Sequence, residues 1–136
     1  MNHLIALLIL FSTMSTKQTE YISIEHIGIS DKPIGTIVIY KDGASKTLNY
    51  DNYDVSDTLY QCLKKAILSY KGINYKGHDF GSFKIIITNN KGSASYYLDR
   101  GNSIKLFHEL IEITKQTSLS SSLQSRLEVQ AKRITY

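Results

Sequence analysis

Ser82-Phe83-Lys84-Ile85-Ile86-Ile87-Thr88-Asn89-Asn90-Lys91-Gly92-Ser93-Ala94-Ser95-Tyr96-Tyr97-Leu98-Asp99 is the stretch on which the fold turns. Two β-prone runs, Ser82 to Thr88 and Ser93 to Asp99, flank Asn89-Asn90-Lys91-Gly92, the composition of a hairpin turn. Phe83, Ile85 and Ile87 alternate with Lys84, Ile86 and Thr88, so the first set faces a core and the second faces away. Tyr97 falls opposite Tyr96 and Leu98. Asn102 or Ser103 then caps a helix whose apolar face is Ile104, Phe107, Leu110, Ile111 and Thr114.

The same order of signals occurs earlier in the chain. Thr36 to Lys41 reads as a strand, with Ile37 and Ile39 inward and Thr36, Val38 and Tyr40 outward. Asp42-Gly43 is a strong hairpin signal, and Ala44 to Tyr50 would return as the next strand. A helix follows from about Ser56 to Tyr70. Its apolar face is Leu59, Cys62, Leu63, Ala66, Ile67 and Tyr70, with Asp54 as N-cap, Asp57 near the positive end and Gly72 as the stop. Two ββα units result. Neither buries its apolar face alone, so the predicted fold is α+β: an antiparallel sheet of four to five strands with both helices on one face. Tyr21 to Ile29 joins as a fifth strand, with a bulge where its apolar phase slips at Glu25-His26. Thr117 to Ser122 is a Ser-rich joint. A last helix from Ser121 to Ile134 carries the stripe Leu119, Leu123, Leu127, Ile134.

The N-terminus reads as an export signal. Leu4 to Phe11 is an unbroken apolar run, shorter than the ~20 residues that cross a bilayer. Small residues follow, and Thr13 and Ser15 fit the −3 and −1 sites of cleavage after Ser15. The organisation is thus a signal peptide over residues 1–15, a ββα-ββα domain over 16–116, and the joint with its helix over 117–136. The mature protein would be periplasmic or secreted, with no stable membrane anchor.

The chain has 136 residues, 42% hydrophobic and 21% charged, which is globular composition and room for one domain. It holds 16 Lys and Arg against 12 Asp and Glu, for a formal charge of +4. The basic residues are scattered, with the longest clusters at Lys64-Lys65 and Lys132-Arg133, so no nucleic-acid stripe forms. The single cysteine, Cys62, excludes an internal disulfide and reads as a small core residue on its helix.

Catalytic and metal motifs are near misses. His108-Glu109-Leu110-Ile111-Glu112 has Glu112 where the zinc-protease helix needs its second histidine. Gly72 and Gly77 have P-loop spacing, but His78 and Asp79 stand where Lys and Ser or Thr should follow, and the loop follows a helix. His78 and Asp79 remain a candidate base and orienting carboxylate for a hydrolase. Asp51, Asp54 and Asp57 recur at every third position, not at the alternate positions of a calcium loop. No cofactor and no metal are expected.

Within residues 79–111 the chain resembles emfourin-like protein inhibitors of metallopeptidases. The shared features are Asp79 and Phe83 before alternating Ile85 and Ile87, the Gly92 turn, Tyr96-Tyr97-Leu98, and a helix with Leu106, Leu110 and Ile111. The first half lacks the Gly-Gly-Phe turn of those inhibitors. The resemblance implies a small exported inhibitor and transfers no functional residue.

The outward residues Val38, Tyr40, Ile86 and Tyr97 make the face away from the helices richer in apolar and aromatic groups than solvent favours. That points to a protein partner bound there. The other reading of the same residues is a face covered by the last helix. The leading expectation is therefore a non-catalytic binding protein, with an enzyme inhibitor or immunity-type protein and a His78-Asp79 hydrolase as alternatives.

Overall fold

The computed structural model describes residues 20–27, 33–42, 51–76, 81–117 and 121–135. They form β1 (Tyr21–Ile27), β2 (Pro33–Lys41), β3 (Asn52–Val55), α1 (Asp57–Leu68), β4 (Ser82–Asn89), β5 (Gly92–Leu98), α2 (Arg100–Lys115) and α3 (Ser121–Thr135). The architecture is α+β, a mostly antiparallel five-stranded sheet in the order β3-β2-β1-β4-β5 with helices beside it.

The fifth strand, β1, is the centre of the sheet. Its Ile22 lies between Ile39 and Ile87, and its Ile24 lies between Ile37 and Ile85. These six β-branched residues floor the core, and all are buried. Removing each from water contributes about 1.5–3 kcal/mol. The expected phase slip is present one residue later, as a register shift between His26 and Ile27 opposite β2. Ile34 is the residue passed over, and it is 62% exposed.

The second ββα unit forms as predicted, with β4 and β5 antiparallel around Asn90-Lys91. The first differs. Asp42 does turn the chain, with a left-handed φ of 52°, but the predicted strand over 44–50 lies outside the described residues. The neighbour of β2 is instead β3, and it runs parallel, with Ile39 beside Tyr53 and Lys41 beside Val55. Asp54 is consequently a strand residue and does not cap α1. Ser56 does, its side chain accepting from the Leu59 amide at 3.2 Å.

Helix α1 buries Leu59, Tyr60, Leu63 and Ile67. The helix is rotated so that Tyr60, with far more apolar surface than a thiol, points inward. Cys62 is therefore exposed and is not the core residue that its spacing suggests. Helix α2 begins earlier than expected, because Asp99 accepts from the Asn102 amide at 2.7 Å. Ser103 is buried and donates to the Asp99 carbonyl at 2.6 Å.

Helix α3 buries Leu123, Leu127, Ala131 and Ile134 in the same core cluster. It lies against α2, and its Gln130 Nε2 sits 3.0 Å from Nδ1 of His26. His26 shares the core side of β1 with Ile22 and Ile24, so α3 belongs to the helical layer and does not fold over the opposite face. Arg126 Nε donates to Asp51 Oδ1 at 2.7 Å, tying α3 to the start of β3. Arg100 Nε donates to the Ile134 carbonyl at 2.7 Å and so caps the end of α3.

Candidate functional site

With every described helix on one side, the other side of the sheet is built, among the described residues, from alternate strand residues. Strand register arranges them in rows. Asn52, Val38, Ser23, Ile86 and Ser95 form the middle row. Asp54, Tyr40, Tyr21, Thr88 and Ser93 form the row on one flank, and Thr36, Glu25, Lys84 and Tyr97 form the row on the other. The four residues singled out from sequence thus share one surface. Val38 and Ile86 flank Ser23, which they help to shield to 7% exposure. Tyr40 meets Tyr21 with ring centroids 5.3 Å apart. The Lys84 ammonium lies 5.8 Å from the centre of the Tyr97 ring, within reach of a cation–π attraction. Thr88 and Ser93 join hydroxyls at 2.8 Å.

Val38, Tyr40, Ile86, Tyr97 and Tyr21 are all half-buried, so each keeps area for a partner to cover. Tyrosine suits such a surface, because the ring supplies area at low entropic cost and the hydroxyl stays wet. Tyr21 and Ser23 were not singled out from sequence, because only the central position of β1 brings Ser23 between Val38 and Ile86 and Tyr21 between Tyr40 and Thr88. Their alternation with Ile22 and Ile24 was the available signal.

The chain matches no family model, no curated protein and no solved structure. The residues behind the inhibitor resemblance serve mainly as core: Phe83, Ile85, Ile87, Leu98, Leu106, Leu110 and Ile111 are buried. Tyr96 is half-buried and donates its hydroxyl to the Ile67 carbonyl. Asp79 lies outside the described residues.

The remaining candidate groups are dispersed. His78 and Asp79 fall outside the described residues. His108 and Glu112 line a groove of ≈ 320 Å³ between α2 and α3, together with Lys115, Glu128 and Lys132. Glu112 there is paired with Lys115 at 2.9 Å. Asp51 is held by Arg126, Asp54 sits on β3, and Asp57 accepts from Gln61 at 3.2 Å. Among the described residues no three His, Cys, Asp or Glu converge on a point where an ion would sit. No described helix is long and apolar enough to cross a membrane.

Four charged groups, Glu20, Lys41, Lys64 and Asp57, cluster at one end of the core side. Glu20 accepts from Lys64 at 2.8 Å and lies 3.5 Å from Lys41, which also reaches Asp57. The Lys64 ammonium is the main cause that holds the Glu20 carboxyl below its usual range. This cluster fastens α1 to β1 and β2 on the helical side, away from the open face.

Proposed function

We propose that this is a small, exported, non-catalytic binding protein that holds a protein partner on the open face of its sheet. The observation that carries the reading is the single surface formed by Val38, Tyr40, Ile86 and Tyr97 with Tyr21, on the side away from the helices. A semi-apolar, aromatic surface rimmed by Ser93, Ser95, Thr36 and Thr88 has the make-up of a protein-recognition patch. Its shape is that of a sheet face, which fits another protein better than a small ligand that needs enclosure. The Leu4–Phe11 run followed by small residues supports export.

The test is capture of partners from native envelope and medium fractions by the mature protein and by a Val38→Ser, Tyr40→Ser, Ile86→Ser variant. The variant should remain folded and lose the captured protein. Equal capture by both would sink the reading. A captured enzyme whose activity falls on binding would specialise the protein to an inhibitor. N-terminal sequencing of the exported product should begin near Thr16, and an intact Met1 on the folded soluble protein would remove the export claim.

A further inference from the structure

The two edges of the sheet are not alike. β3 is four residues long and carries Asp54. β5 is seven residues long and has no charge, no proline and no bulge, the devices by which proteins close an edge to further pairing. The Asn89–Gly92 pair closes the β4–β5 hairpin, so alternate pairs from it onward, including Ile87–Ala94 and Ile85–Tyr96, exchange the ladder hydrogen bonds. Ser93, Ser95 and Tyr97 consequently aim their backbone amides and carbonyls outward. Ser93 and Ser95 are exposed.

We propose that β5 pairs antiparallel with β5 of a second copy of this chain, about a two-fold axis at Ser95, to join two five-stranded sheets into one. The sequence of the strand is complementary to itself in that register. Ser93 of one copy meets Tyr97 of the other, Ala94 meets Tyr96, and Gly92 meets Leu98, so small residues always face large ones. Only Ser95 meets itself. Just beyond the strand, Lys91 of each copy stands across from Asp99 of the other, a favourable charge pair repeated by the symmetry. Because Ser95 lies on the axis with its amide and carbonyl outward, the two copies exchange both hydrogen bonds there. With β3 short and charged, β5 is the one open edge among the described residues, and it closes the assembly as a pair and does not extend it into a fibre. Edge pairing alone covers less than a standard interface, so the pair forms in a concentration-dependent way. The proposal uses the outward backbone of β5, whereas the open face is read from side chains, those of Tyr97, Ser93 and Ser95 among them.

Sedimentation of the mature protein from micromolar to millimolar concentration should show a monomer–dimer equilibrium. In the same range the amides of Ser93, Ser95 and Tyr97 should gain protection from hydrogen exchange. Ser95→Pro removes an outward amide and leaves the β4–β5 ladder intact, so it should weaken the dimer roughly tenfold or more while the fold persists. Lys91→Glu places like charges together at both ends and should also weaken it, which keeps the test decisive if Ser95→Pro fails to fold. Val38→Ser with Tyr40→Ser should leave the dimer unchanged. A mass that stays monomeric throughout, or a dimer indifferent to both edge variants, would overturn the proposal. So would a monomer whose three amides are protected only when an extended peptide is added, an outcome that assigns the edge to a foreign strand.

Discussion

Tyr60 carries its hydroxyl into the core, where it has no hydrogen-bond partner among the described residues. Burial pushes that hydroxyl far above the ordinary phenol range, a sign of the same desolvation. An unpartnered buried hydroxyl costs free energy, and deleting the oxygen removes the cost while the ring still fills its space. Tyr60→Phe should therefore leave stability unchanged or raise it by about 1 kcal/mol, read from the urea midpoint. A loss of more than about 1 kcal/mol would show that the hydroxyl is partnered. His26 is buried too, stacked on Phe83 with centroids 4.7 Å apart and in contact with Gln130. Burial first, then Arg133 and Arg126 on α3, holds its imidazole below the ordinary value of 6.5. The unfolded chain thus takes up a proton that the folded chain resists. Above 6.5 neither state is charged at this residue and stability is unaffected; as pH falls below 6.5 the unfolded state gains and stability declines. Glu20 acts lower, because its depressed value keeps its contribution above 4.5 and loses it only as pH falls further. Melting temperature should therefore drop between about pH 6.5 and 5, and His26→Gln should flatten that slope. An unchanged slope in the variant would count against this role.

At the scale of elements, α3 is the test of how the layers cohere. Leu127 is fully buried, and Leu127→Ala should cost about 2–5 kcal/mol by removing packed atoms and leaving a cavity. Thermal unfolding should show that loss for the whole domain at once, since α3 shares one core cluster with the sheet. A variant that loses only the signal of one helix would show α3 to be an independent appendage. The β4–β5–α2 unit was legible in the sequence, because strand alternation, turn composition and helical spacing agree over Ser82 to Thr114. β3 was not. Asn52 to Val55 offers four residues, two of them polar at alternate positions, and what makes it a strand is its pairing with β2. The rotation of α1 was hidden for a related reason, since Cys62 and Tyr60 both fit an apolar spacing and only packing chooses between them. The site was half legible. Alternation separated Val38, Tyr40, Ile86 and Tyr97 from the core set, whereas the rows through Tyr21 and Ser23 depend on β1 being central. The side taken by α3 follows from the contact between Gln130 and His26, residues too far apart in the chain for any periodicity to relate them.

For the molecule as a whole, the helices and the open face divide the sheet's apolar residues into two sets that should answer differently to truncation. On the helical side Ile22, Ile24, Ile37, Ile39, Ile85 and Ile87 are almost completely removed from water. On the other side Val38, Tyr40 and Ile86 are only half-buried, and among the described residues their cross-strand neighbours are Ser23, Tyr21, Asn52, Asp54 and Ser95. Truncating a residue of the first set leaves a cavity, whereas truncating one of the second leaves a notch that water fills. The loss on the open face is then confined to cross-strand pairs, each contributing roughly 0.2–1 kcal/mol. The variant with Val38→Ser, Tyr40→Ser and Ile86→Ser should accordingly lose about 1–2 kcal/mol in total, less than the single change Leu127→Ala at its midrange. Urea titrations followed by far-ultraviolet circular dichroism compare the two directly, and the slope of each transition should match that of the natural protein. If the triple variant loses more than Leu127→Ala, the open face is functioning as core, and its assignment as a partner surface falls with it.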